Sequence, residues 1–94
     1  MSNVEYWDGS WKARPSLGTV HEFGPNSWRA THGTEYGYVD MQAERYAHGA
    51  FTWLEFIWNG RLYRRTICAY YGPCYAARLA TQFAREVTEG TVLA

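Results

Sequence analysis

The stretch that decides the fold reads FTWLEFIW from Phe51 to Trp58, then Asn59-Gly60, then RLYRRTICAY from Arg61 to Tyr70. Both runs are rich in the aromatic and β-branched residues that favour strands. Asn-Gly between two such runs is the strongest short signal for a β-hairpin, because both central residues of a type I′ turn need a positive φ. The sequence therefore predicts a β-hairpin over residues 51–70.

A two-residue turn fixes the register of this hairpin and so determines which side chains share a face. On one face the facing pairs are Trp58 with Arg61, Phe56 with Tyr63, Leu54 with Arg65 and Thr52 with Ile67. On the other they are Ile57 with Leu62, Glu55 with Arg64, Trp53 with Thr66 and Phe51 with Cys68. The second face carries the more aliphatic set and one cross-strand ion pair, so we predict that it meets the core.

A helix is predicted to follow the hairpin, over residues 73–89. Pro73 suits the first position of a helix, and Gly90 suits the position just after its end. Between them, apolar residues recur at steps of three and four, namely Ala76, Leu79, Ala80, Phe83 and Val87. This pattern indicates an amphipathic helix whose alanines allow close approach to a sheet.

The first half of the chain predicts three more strands, over Leu17–Phe23, Ser27–His32 and Glu35–Val39, with Tyr36 and Tyr38 on one face of the third. The stretch 40–48 fits either a short helix or an irregular strand. Together the elements predict an α+β fold, in which a small, mostly antiparallel sheet carries the C-terminal amphipathic helix on one face. We expect a single domain over residues 1–94, with 1–10 and 91–94 frayed.

Composition and charge exclude some classes of function. Among 94 residues, nine Lys and Arg balance nine Asp and Glu, and 18% of the residues are aromatic. A net charge of zero argues against a histone-like nucleic-acid binder and against an acidic DNA mimic. The charges are unevenly distributed, because residues 58–78 hold four arginines and no acid, whereas residues 1–57 hold seven acids against four basic residues.

The absence of a recognisable targeting signal and the low number of cysteines favour a cytoplasmic protein. No run approaches the roughly 18 apolar residues of a membrane helix, and the first ten residues lack the pattern of a signal peptide. Cys68 and Cys74 do not have the spacing of a zinc site. We expect them to be reduced and partly buried thiols, with a single disulfide as the alternative.

No catalytic, cofactor or metal site is predicted. His21, His32 and His48 have no metal-type partner three or four residues away, and the glycines form no phosphate-binding motif. The acidic residues show no paired spacing that would suggest acid and base roles. If either thiol is reactive, Cys74 at the start of the helix is the better candidate, and it would need a histidine beside it in space.

The hairpin face left outside the core is the candidate partner-binding surface, and it consists of Trp58, Arg61, Tyr63, Arg65 and Phe56. Arginines interleaved with aromatic rings occur both in protein interfaces and in single-stranded nucleic-acid sites. The alternative is that another part of the sheet or the N-terminal segment covers these rings.

Residues 53–87 resemble the β-β-α core of AP2-type and integrase arm-type DNA-binding domains. The matching stretches are WLEFIWNGRLYRR over Trp53–Arg65 and YAARLA over Tyr75–Ala80, which give a Trp-bearing strand, an Asn-Gly-Arg hairpin and an Ala-rich helix in the same order. The resemblance implies that Arg61, Arg65 and Tyr63 enter the major groove while the helix backs the sheet.

In size and character the chain also resembles small inhibitors of bacterial defence systems that phages and mobile elements encode, the anti-CRISPR proteins among them. That resemblance implies a non-enzymatic protein of the host cytoplasm, without a cofactor, that binds a protein or nucleoprotein complex and occludes its working surface. Nucleic acid is the alternative ligand, and the chain is expected to be a monomer or a homodimer.

Overall fold

In a computed structural model, which describes residues 20–90, five strands are followed by one helix. The strands are β1 (His21–Glu22), β2 (Ser27–Thr34), β3 (Gly37–Tyr46), β4 (Gly49–Trp58) and β5 (Arg61–Ile67), and the helix is α1 (Pro73–Thr88). Each strand runs antiparallel to the next, so spatial order follows chain order. The predicted α+β fold is confirmed. The ends predicted to fray, and residues 17–19 of the first predicted strand, lie outside the described residues.

The β4–β5 hairpin has the predicted turn and the predicted register. Asn59 and Gly60 have φ angles of 53° and 74°, as a type I′ turn requires. Trp58 pairs with Arg61, and the pairing continues in register to Thr52 and Ile67. The hairpin therefore follows from local sequence.

The stretch 40–48 is a regular strand as far as Tyr46 and then a two-residue turn, so the helix alternative is wrong. Val39, Met41 and Ala43 are buried at a period of two, and the polar residues between them face away from the core. That alternation matches a half-buried strand and not a helix. β3 begins at Gly37, so Tyr36 lies in the preceding turn and does not share a strand face with Tyr38.

The core lies between one face of the sheet and α1. The helix contributes mainly small side chains, whereas the sheet contributes large ones; the buried core residues are Ala76, Ala77, Ala80, Phe83, Ala84 and Val87 from α1, with Trp28, Ala30, Val39, Met41, Ala43, Leu54 and Phe56 from the sheet. Alanines bring the helix axis close to the strands, and the rings fill the space between. The predicted stop after the helix is also confirmed, because Gly90 has a φ of 77°.

Two buried side chains of the sheet hold the connection between β5 and α1. The indole N–H of Trp28 donates to the carbonyl of Tyr71 at 2.8 Å. The hydroxyl of Thr52 donates to the carbonyl of Ala69 at 2.8 Å and accepts from the N–H of Tyr71 at 3.2 Å. These bonds satisfy backbone groups that the connection would otherwise leave unpaired beside the core.

An ion pair joins the edge strand β5 to the helix. Arg65 donates to a carboxylate oxygen of Glu86 at 2.8 Å, and its guanidinium lies 4.8 Å from the ring centre of Phe83. Gln82 donates to the other oxygen of Glu86 at 3.0 Å. The hydrogen bonds from Arg65 and Gln82 lower the pKa of Glu86 below its ordinary value.

We expect this ion pair to make stability depend on pH in the acidic range. The folded-state pKa of Glu86 lies below its unfolded value of about 4.5, so the stabilisation is complete above pH 4.5 and is lost as the pH falls through the folded pKa. Since both side chains are partly exposed, Glu86→Gln should cost about 1 kcal/mol at neutral pH. Urea unfolding at pH 7 and pH 3 measures the effect, and the difference between variant and wild type should shrink at pH 3. An unchanged difference would contradict the assignment.

Candidate interaction surface

The helix covers the face of the sheet that sequence analysis had placed outside, so the predicted face assignment is wrong. Phe56 is 1% exposed and Leu54 is fully buried beneath α1, whereas Ile57 and Leu62 are exposed on the other face. We call the helix side the covered face and the other side the open face. The cover is α1, and not another part of the sheet or the N-terminal segment as the alternative considered above had it.

The five predicted binding residues are not brought together as an exposed surface. Phe56 belongs to the core, and Trp58 and Tyr63 are partly buried and pack against it. Arg65 is held against Glu86 and Phe83 on the covered face. Only Arg61, beside the hairpin turn, is exposed. The structure does not test whether any of these residues contacts a partner.

The physical reason is that the two hairpin faces are almost equally apolar. A count of aliphatic residues does not separate them, whereas the shape of α1 does, because its alanines leave room for large rings from the sheet. Arg65 can lie on the covered face since its stem packs along the helix while its head reaches Glu86 at the edge.

The open face is one side of the five-stranded sheet, and four strands supply most of it. Its side chains include Arg29 and Thr31 on β2; Tyr38, Asp40, Gln42, Glu44 and Tyr46 on β3; Phe51, Trp53, Glu55 and Ile57 on β4; and Leu62, Arg64 and Thr66 on β5; His21 on β1 lies beside Arg29. No element within residues 20–90 packs on this face.

Three large apolar side chains lie side by side at the end of the open face nearest the β4–β5 turn. Ile57 is 68% exposed, Leu62 is 52% exposed and Tyr38 is 44% exposed. Ile57 pairs with Leu62, and Tyr38 lies beside Ile57 because the next residue, Val39, pairs with Phe56. We call these three residues the apolar row. Single exposed apolar residues are ordinary, whereas a contiguous group makes this end of the open face a candidate interaction site.

A charged row crosses the open face next to the apolar row. Thr31, Asp40, Glu55 and Arg64 are partners on successive strands. Arg64 donates to Glu55 at 2.7 Å, and the hydroxyl of Thr31 donates to Asp40 at 3.0 Å. Asp40 has no ion-pair partner among the described residues. The row therefore offers a carboxylate that a partner can engage.

Aromatic rings occupy the opposite end of the open face. The ring centres of Phe51 and Trp53 lie 5.7 Å apart in a stacked arrangement, and Tyr46 lies 6.3 Å from Phe51. The hydroxyl of Tyr46 and the amide of Gln42 both donate to Glu44. Aromatic groups with a polar edge are common at interfaces.

Between the two ends, the open face has a depression of about 500 Å³ that opens to solvent. Its lining is mostly polar and charged, and consists of Arg29, Thr31, Asp40, Met41, Gln42, Trp53, Glu55 and Arg64. A binding site for a small molecule is usually more apolar and more enclosed. This shape fits contact with a larger partner better.

Histidines and cysteines are dispersed. The ring Nε2 of buried His32 lies 2.9 Å from the hydroxyl of Thr81, which places this histidine between sheet and helix. Within residues 20–90, no three His, Cys, Asp or Glu side chains cluster as metal ligands would. Cys68 and Cys74 are free and exposed, so the predictions that they are partly buried and that Cys68 faces the core are wrong.

One signal in the sequence could have located the open face. In β3, apolar Val39, Met41 and Ala43 alternate with polar residues, so its two faces are distinct. Had the β3–β4 register been known, the pairing of Val39 with Phe56 would have put Phe56 in the core. The ambiguity of residues 40–48 hid this relationship.

Comparisons of the chain with protein-family models, with curated proteins and with solved structures found no match. In the part of the chain that the structure describes, no helix combines the length and the apolar character that crossing a bilayer requires.

Proposed function

We propose that this chain is a non-enzymatic binding protein that covers a surface of a protein partner, and that the open face is its contact surface. The observation that carries the proposal is the apolar row, in which Tyr38, Ile57 and Leu62 remain exposed on an otherwise regular sheet. Burying such side chains supplies most of the driving force for protein association. The charged row beside them supplies orientation and specificity.

The charge of the open face favours a protein over a nucleic acid. This face carries two arginines, Arg29 and Arg64, and three acids, Asp40, Glu44 and Glu55. Sites for nucleic acid are predominantly basic, because phosphate neutralisation dominates their affinity. Tyr63 and Arg65, which the AP2-type resemblance assigns to DNA, lie on the covered face. A nucleic-acid function therefore has less support.

The finer proposal concerns the kind of partner. A small protein with one broad contact surface can act in stoichiometric amounts, by occupying the surface on which a larger complex works. The inhibitors of bacterial defence complexes that this chain resembles act in this way. A standard interface needs about 800 Å² on each partner, and the open face would supply a large part of that area.

A capture experiment with paired variants tests the proposed function. The tagged full chain is incubated with a lysate of its source cell, with and without nuclease, and bound proteins are quantified. Ile57→Glu combined with Leu62→Glu places two charges in the apolar row and should reduce stoichiometric capture by at least about tenfold. Tyr75→Glu, at an exposed position of α1 away from the open face, is the matched control and should leave capture intact.

The outcomes separate the hypotheses. Capture that survives nuclease and is lost only in the open-face variant supports the proposal. Capture that disappears with nuclease would favour the nucleic-acid alternative. Equal capture by both variants would show that the open face is not the contact surface. Thermal unfolding of each variant establishes that the fold is retained.

A further inference from the structure

We propose that, in the free protein, two copies of this chain pack their open faces together around a two-fold axis that runs along β4. The first observation is the composition of β4, whose open-face side chains are Phe51, Trp53, Glu55 and Ile57. Three of these four are large and apolar, so β4 is the most apolar line on the open face. In an isologous dimer, this apolar line of one copy packs against the same line of the other copy.

The second observation is the distribution of charge on either side of β4. Asp40 on β3 and Arg64 on β5 are both partners of Glu55 and therefore lie at the same level of the sheet. An axis along β4 brings β3 of one copy over β5 of the other, so Asp40 faces Arg64 of the second copy. By symmetry the contact occurs twice. The carboxylate of Asp40, which lacks an ion-pair partner among the described residues, thereby acquires one.

The same axis brings the apolar row of one copy into contact with the apolar row of the other. Ile57 meets Ile57 of the second copy, and Tyr38 meets Leu62 of the second copy, because they flank β4 at neighbouring positions. Glu55 falls on the axis, where each carboxylate keeps the guanidinium of its own Arg64. That pairing limits both the repulsion and the cost of removing the charges from water.

Charge also disfavours a neighbouring arrangement in which the axis is shifted toward β3. An axis between β3 and β4 would place Asp40 of one copy against Glu55 of the other, twice, and leave Arg64 opposite Thr31. Like charges placed together in an interface are costly. The pattern of the charged row therefore favours the axis along β4 over one between β3 and β4.

The area of contact implies a weak dimer. Three strands spaced about 4.8 Å apart, each with about eight residues that rise roughly 3.3 Å per residue, cover a flat area of about 400 Å² on each copy. The uneven surface of the side chains adds to this area. The flat area is about half of the roughly 800 Å² per partner of a standard interface, so we expect a reversible dimer with a Kd of about 10–1,000 μM. Such a dimer shields the apolar row until a partner with higher affinity displaces the second copy.

Charge-swap variants of the full chain test the proposal. Sedimentation velocity from about 10 μM to about 1 mM should show a concentration-dependent dimer of the wild type. Asp40→Arg alone and Arg64→Asp alone each replace two attractive contacts by two repulsive ones, and each should weaken the dimer at least about tenfold. An equimolar mixture of the two variants should form a heterodimer, and the double variant should form a homodimer. Thermal unfolding confirms that each variant is folded.

Two results would overturn the proposal. One is a wild type that stays monomeric to about 1 mM; the other is a dimer that the single swaps leave unchanged or that their mixture fails to restore. The dimer proposal does not depend on the protein partner proposed above. A monomeric wild type whose Ile57→Glu/Leu62→Glu variant loses capture would end the dimer proposal and keep the proposed function. A dimeric wild type, together with capture that the Ile57→Glu/Leu62→Glu variant leaves unaffected, would keep the dimer proposal and overturn the proposed function.

Discussion

Phe56→Ala is expected to lower the free energy of unfolding by about 3–5 kcal/mol, whereas Ile57→Ala should change it by less than about 0.5 kcal/mol. The two residues are neighbours on β4 and both are large and apolar, but they occupy opposite faces of the sheet. Phe56 is 1% exposed and fills space against α1, while Ile57 is 68% exposed on the open face. Urea unfolding followed by tryptophan fluorescence measures both values. Dilute protein keeps the proposed dimer from contributing.

A milder substitution keeps this comparison informative if Phe56→Ala does not fold. Phe56→Leu retains part of the buried volume and should cost about 1–2 kcal/mol, still more than Ile57→Ala. Equal losses at the two positions, or a larger loss at Ile57, would contradict the placement of the helix on the Phe56 side. That placement underlies both proposals for the open face.

Trp28→Ala is expected to cost about 3–5 kcal/mol, and Trp28→Phe about 1–3 kcal/mol. Trp28 is 2% exposed and donates its indole N–H to the carbonyl of Tyr71. Both changes remove that donor and leave the carbonyl without this bond, while Trp28→Ala also opens a cavity under the helix. The free energy of unfolding, obtained from urea titrations, gives the two costs.

Trp53→Phe is the matched control for this second prediction. Trp53 lies on the open face and is only partly buried, so its replacement should cost less than about 1 kcal/mol. If Trp28→Phe were as mild as Trp53→Phe, the bond to Tyr71 would not be holding the β5–α1 connection.

Parts of the structure that depend on neighbouring residues were predictable. Asn59-Gly60 determines the hairpin turn and its register, since few other dipeptides adopt two successive positive φ angles. Pro73, Gly90 and the spacing of Ala76, Ala80 and Phe83 determine the helix and the side that it buries. The β3 strand was not predicted uniquely, because Asp40 resembles a helix cap and a nine-residue stretch is too short for periodicity to decide.

The sequence by itself determined the α+β class, the β4–β5 hairpin with the pairs that face each other in it, and the C-terminal helix. Only the tertiary structure decided which hairpin face is covered, and therefore which residues form the candidate interaction surface. Both faces of β4 are apolar, so burial on either side gains similar free energy per unit area. The decision came from elements distant in the chain: the alanines of α1 that admit Trp28 and Phe56, and the alternation in β3 that puts Val39 beside Phe56 in the core.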